Sequence, residues 1–135
     1  MQKGSRYELD YHVTSEDLAK ALSMTDEDDF PEVLATARMV ALMELAAARL
    51  LRPMLQTQQL SVGVHVDIEH MAATPCSEDV KAVAEFVDMQ GKLYLFNVEL
   101  WDNGGLAGKG THTRAVIDTE RLEQGAKRRI QAGAN

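Results

Sequence analysis

A glutamate stands in the middle of an apolar stretch, Thr36-Ala-Arg-Met-Val-Ala-Leu-Met-Glu-Leu-Ala-Ala-Ala-Arg-Leu-Leu51, with Met43 and Leu45 on either side. A segment apolar nearly all round reads as a buried helix. A carboxylate carried into a core costs several kcal/mol unless it is neutralised or partnered, which makes Glu44 the first candidate for chemistry. A second titratable group falls opposite it. The alternation of Val62, Val64, Val66 and Ile68 reads as the apolar face of a strand, and one further step lands on His70. An imidazole facing a carboxylate can move a proton near neutral pH. Thr36 lies about 80° around the helix axis from Glu44 and about 12 Å along it. It flanks the same pocket at or near the helix N-terminus, where free amides and the dipole favour an oxyanion or an acyl carbonyl.

Each residue also has an ordinary structural reading. Thr36 can be an N-cap, and His70 a core histidine bonded to a backbone carbonyl. Glu44 can pair with Arg38 or Arg49, but Arg38 falls on roughly the opposite helix face and Arg49 is marginally placed. The conjunction of the three favours chemistry. Elsewhere, His65 falls on the outward strand face as solvent or dimer surface. His112 and Arg114 share a face of the last strand, where Arg114 can pair with an acid or meet a ligand's carboxylate or phosphate. Gly63 suits either close approach of a ligand or backbone, or a bulge. The four histidines and one cysteine have no metal-ligand spacing, so no metal is expected. Cys76 reads as a small apolar filler rather than a nucleophile.

The elements that must position these groups can be read from periodicity and breakers. Tyr7 to Val13 alternates as a first strand, and Ser15-Glu16-Asp17-Leu18 opens a short helix. Thr25 to Asp29 is a charge run read as a solvated loop. The apolar helix runs from about Thr36 to Arg52 and stops at Pro53. Ser61 to His70, Val80 to Val87, Leu93 to Trp101 and Ala107 to Asp118 read as strands, with hairpin signals at Gln90-Gly91 and Asn103-Gly104. A polar helix from Glu120 to Arg129 closes the chain, with a tail at about 130–135 expected to fray. This order predicts an α+β fold, an antiparallel sheet wrapped around one long helix, as in the hot-dog architecture. Pairing exposed strand edges predicts a homodimer.

With 135 residues, the chain is expected to form a single domain over 1–135. A net charge of -7 excludes a general nucleic-acid binder. No apolar run is long enough for a membrane span. The polar start and the lone cysteine suit a cytoplasmic setting.

Several segments together make the pattern specific: Phe30-Pro-Glu-Val-Leu-Ala-Thr36, Met39-Val-Ala-Leu-Met-Glu44, Ser61-Val-Gly63, His70-Met-Ala-Ala-Thr-Pro75 and Gly110-Thr-His-Thr-Arg114. From about Asp29 to Asp118 the chain resembles the fluoroacetyl-CoA thioesterase family of hot-dog proteins. The resemblance implies a catalytic set of Thr36, Glu44 and His70, with Gly63 near the substrate carbonyl, Arg114 in the acyl-pocket region and Phe30 in a lid. It also implies CoA at a dimer seam and no cofactor beyond the CoA of the substrate. Leu34, Arg38 and Ala41 depart from the fluoroacetate-resistance enzyme, so the resemblance speaks to the reaction class and leaves the acyl group open. Hydrolysis of a short acyl-CoA is the leading expectation. Hydration or dehydration of an acyl thioester, and non-catalytic acyl-CoA binding, are the alternatives.

Overall fold

A computed structural model of the chain describes residues 1–133. The central element is helix α1, Thr36–Leu51. It ends where Pro53 withdraws a donor, and a single 3-10 turn, Arg52–Met54, finishes it. Met39, Leu42, Met43, Ala46, Ala47 and Leu51 form its buried face, at the three- and four-residue spacing that puts side chains on one stripe. Around it runs one antiparallel sheet of β1 (Arg6–His12), β2 (Gln59–His70), β3 (Asp79–Gln90), β4 (Leu93–Asp102) and β5 (Gly105–Asp118). The strand order is β1-β3-β4-β5-β2. Phe96, Val98, Leu100, Ala82 and Ala84 meet the helix stripe in the core. Burying a leucine or phenylalanine side chain of this kind is worth about 1.5–3 kcal/mol.

Two features differ from the periodicity reading. First, α1 is not enclosed on all sides: Leu45 is 38% exposed, and Val40, Ala41, Glu44 and Ala48 are half-buried. Second, β2 does not keep one phase. Its pairing with β5 shifts between Gly63 and His65, so Val64 is an extra residue. Directly paired residues share a face. Gly63 opposite Arg114, and Val66 opposite buried His112, therefore both look toward α1. Ile68 and His70 follow Val66 onto that face, as expected, while Val62 lies on the other. Ser61 and Gly63, expected to point outward, point toward the helix.

β2 is an edge strand, and Leu60, Val64 and Val66 along it are 52%, 54% and 44% exposed. Helix α2, Thr119–Gly133, follows β5 and buries none of its residues. It continues past Arg129, so fraying does not describe residues 130–133; the rest of the expected tail lies outside the described residues. Among the described residues no helix is long and apolar enough to cross a membrane. Among the described residues no group of His, Cys, Asp and Glu is gathered to hold a metal ion.

Candidate active site

The chain entering α1 is clamped to the chain leaving β2. Leu34 N–H donates to Thr74 O at 2.8 Å, and Val33 bridges Pro75. The N-cap of α1 is Ala35, so Thr36 is the first helical residue and its hydroxyl caps nothing. That hydroxyl lies 2.7 Å from His70 Nδ1. The ordinary readings of both residues therefore fail, since His70 is not tied to a backbone carbonyl. Its other nitrogen, Nε2, is buried with no hydrogen-bond partner. Among the described residues the amides of Thr36, Ala37 and Arg38 meet no protein acceptor. They are the free first-turn donors of a helix. Beside them opens a cleft of about 340 Å³ lined by Pro31, Val33, Leu34, Thr36, His70 and Met71 among others.

Glu44 belongs to a second cluster. Its Oε1 accepts from Arg114 Nη1 at 3.3 Å. Arg114, with only 8% of its side chain exposed, also donates from Nε to Ser61 Oγ (2.9 Å) and from Nη2 to Ser61 O (3.0 Å). His112 completes the bracket. Its Nδ1 lies 2.8 Å from the His65 carbonyl, which can only accept, so Nδ1 carries the proton. The lone pair on Nε2 then accepts from Arg114 Nη1 at 3.1 Å. Burial holds the His112 pKa below its ordinary value despite the bond to His65 and the nearby Glu44 charge, so the ring is neutral at pH 7. The 3.7 Å approach of His112 Nε2 to Glu44 Oε1 is accordingly not an ion pair and is too long for a hydrogen bond. Burial also lowers Arg114, opposed by Glu44; an arginine stays charged regardless.

Gly63 makes this cluster possible. A methyl group there would collide with Glu44 Oε1 and stand 3.2 Å from His112 Cε1. The bulge reading of Gly63 holds beside it, but what comes close is the side chains of Glu44 and His112 rather than a ligand or another backbone. Gly63→Ala should push the Glu44 carboxylate off Arg114 and lower kcat for a reaction that uses Glu44 at least about tenfold, the equivalent of roughly 1.4 kcal/mol. Steady-state kinetics beside a melting curve check this; kcat at the parent level would refute it.

Within the chain the acid and the imidazole do not share a cleft, contrary to expectation. Glu44 is absent from the lining of the Thr36–His70 cleft. Gly63 and His70 are seven residues apart on β2, about 23 Å at strand rise. The Glu44 side chain is 39% exposed, on the open side of α1. Its partner is neither Arg38 nor Arg49 but Arg114, which nothing local in the sequence connects to it. Phe30 is 46% exposed and its neighbour Pro31, not Phe30 itself, lines the cleft. His65 lies outward and exposed. A larger groove of about 650 Å³ runs between β5 and α2 and contains none of Thr36, Glu44 and His70.

Known proteins resemble this chain in sequence and in fold. A family model for fluoroacetyl-CoA-specific thioesterase matches residues 13–120. The fluoroacetyl-CoA thioesterase of Streptantibioticus cattleyicolor is 33% identical over 135 residues, spanning 98% of this chain and 97% of that protein. A solved fluoroacetyl-CoA thioesterase superposes with a TM-score of 0.90 at 34% identity, covering 95% of this chain and 96% of its own. A thioesterase superfamily member from Thermus thermophilus, 24% identical, gives a TM-score of 0.86 over 99% of this chain and 97% of its own, a likeness of fold alone. The sheet wrapped about α1 is a hot-dog fold, and the chain belongs to the fluoroacetyl-CoA-specific thioesterase family.

Proposed function

We infer that the protein is an acyl-CoA thioesterase that hydrolyses short acyl-CoA esters to the free acid and CoA. The observation that carries this reading is the 2.7 Å contact of the Thr36 hydroxyl with His70 Nδ1 at an uncapped helix N-terminus. A thioester carbonyl set against the free amides of the first turn has its developing negative charge stabilised there. His70 Nδ1 takes the proton from the Thr36 hydroxyl, or from water held by it, as the new C–O bond forms. The C–S bond then breaks and the proton passes to the departing thiolate; where Thr36 is the nucleophile, a water deprotonated by His70 next cleaves the acyl-Thr36 ester, releasing the acid and restoring the hydroxyl. For Nδ1 to accept, Nε2 must carry a hydrogen, and that nitrogen is the buried one without a partner. Glu44 is a carboxylate with an open side and a rigid Arg114 behind it. Each half lacks what the other has.

A two-fold pairing of β2 edges would join them. The exposed Val64 and Val66 would be covered, and Glu44 of the partner subunit would approach the Thr36–His70 cleft from across the seam. The active protein in this reading is a homodimer in the cytoplasm, with CoA bound along the seam and no cofactor other than the CoA of the substrate. Gly63 and Arg114 set the Glu44 carboxylate, and the segment carrying Phe30 and Pro31 overhangs the cleft. Solved relatives include complexes with fluoroacetate and CoA, and with acetyl-CoA.

The test is thiol release from acetyl-, fluoroacetyl-, propionyl- and phenylacetyl-CoA, followed with a thiol reagent. At least one ester should reach a kcat/KM of about 10⁴ M⁻¹s⁻¹ or more. A change in enoyl-thioester absorbance without thiol would replace hydrolysis by hydration chemistry. Saturable CoA binding without any turnover would make the protein a binding module.

A further inference from the structure

Asp17 is only 2% exposed, yet it lies in a single 3-10 turn, Ser15–Asp17, on the rim of the fold. Its carboxylate is fully occupied. Arg38 Nε donates to Oδ1 at 2.7 Å, and Thr14 donates to Oδ2 through its amide (2.7 Å) and its hydroxyl (3.1 Å). The Tyr11 hydroxyl is 2.9 Å from both oxygens, and Arg38 Nη2 donates to that hydroxyl at 3.3 Å. The Arg38 guanidinium also stands 5.6 Å from the centre of the Tyr11 ring, within cation–π range. Burial pushes the Asp17 pKa up, but the bonds from Thr14, Tyr11 and Arg38 outweigh it and hold the carboxyl ionised below its usual range.

The location gives this network a use. Arg38 is in the first turn of α1, where a cation opposes the helix dipole, and that turn contains no acid of its own. Asp17 supplies the missing negative charge from outside the helix. Its backbone carbonyl accepts from the amide of Ala35, the residue before Thr36, at 2.9 Å. The next residues continue the clamp, with Ala19 N–H donating to Val33 O (2.8 Å) and Lys20 N–H to Pro31 O (3.1 Å). One buried carboxylate thus ties β1, the rim turn and the start of α1 together.

We propose that Asp17, held by Arg38, Tyr11 and Thr14, is a positioning residue that fixes the first turn of α1 and so keeps the Thr36 hydroxyl against His70. The role rests on the thioesterase reading for its kinetic consequence but not for its structural one. A misplacement of about 1 Å at a reacting group can cost about 100-fold in rate.

Two readouts separate positioning from mere stability. Thiol-release kinetics and melting are compared for Asp17→Asn, Arg38→Met, the double variant Asp17→Asn/Arg38→Met and the milder Tyr11→Phe. In parallel the ¹⁵N signal of His70 Nδ1 is followed without substrate, with Thr36→Ala marking the position for a lost hydrogen bond. Asp17→Asn and Arg38→Met should lower kcat about 10- to 100-fold with KM within about threefold, and should move the His70 signal toward that of Thr36→Ala. The double variant should recover melting temperature, having no unpaired charge, without recovering kcat. Loss of melting temperature with the parent His70 signal and parent kcat overturns the proposal. So does a double variant in which kcat returns along with stability. If no ester is turned over by the parent, hydrolysis fails as the function while the His70 signal still decides the role of Asp17.

Discussion

Replacing His70 by alanine lowers kcat for thiol release about 10²- to 10⁴-fold, the range for loss of a positioned general base, while the protein stays folded. Among the described residues the ring donates to no backbone carbonyl and its Nε2 meets no acceptor, so the hydrogen bond that the substitution removes is the one to the Thr36 hydroxyl. Thr36→Ala removes the hydroxyl that His70 contacts but leaves the first-turn amides, and should retain part of the rate: an oxyanion site continues to act without its acid–base pair. Thr36→Ser should lie closer to the parent, since it keeps the hydroxyl. Stopped thiol release, circular dichroism and a melting curve on the three variants check the order. A His70→Ala protein with more than about a tenth of the parent kcat would remove His70 from the reacting set.

The reasons some of this was legible in the sequence, and some not, are physical. Three- and four-residue spacing in Met39, Leu42, Met43, Ala46 and Ala47 determines a buried stripe, so α1 could be found. His70 could be placed toward the helix, but the route to that placement was wrong in detail. The extra residue at Val64 reverses the alternation upstream, a two-against-one pairing that leaves no period in a short strand to betray it. Gly63 held the clue, yet whether a glycine marks a bulge or a close contact depends on what stands opposite. That neighbour, Glu44, is 19 residues away in sequence and reaches it only through the packing of α1. Arg114 as the partner of Glu44 was hidden for the same reason. Asp17 read as an ordinary first-turn acid, because its burial comes from Tyr11 and Arg38, each on a different element. The half-open state of Glu44 was the hardest to foresee. An apolar helix side covered by its own sheet and one left for a second copy have the same composition.

That last ambiguity leads to the sharpest expectation. Glu44→Ala and His70→Ala should each be nearly inactive alone, yet a one-to-one mixture refolded or co-expressed together should recover about a quarter of the parent activity. Random pairing makes half of the dimers mixed. In a mixed dimer one site unites the intact Thr36 and His70 of one protomer with the intact Glu44 of the other, while the second site lacks both the acid and the imidazole. If acid and imidazole acted within a single chain, every site in the mixture would lack one of them and no activity would return. The geometry favours recovery: Glu44 is fixed by Arg114 beside Gly63, whereas His70 sits at the far end of the same edge strand. An antiparallel pairing of that edge with its own copy brings one end of β2 against the other. Tagged co-purification of the mixed dimer, followed by thiol-release assay, measures the fraction directly. A pure mixed dimer should show about half of the parent kcat, one working site of two; a dead mixed dimer would mean that Glu44 serves only the His70 of its own chain.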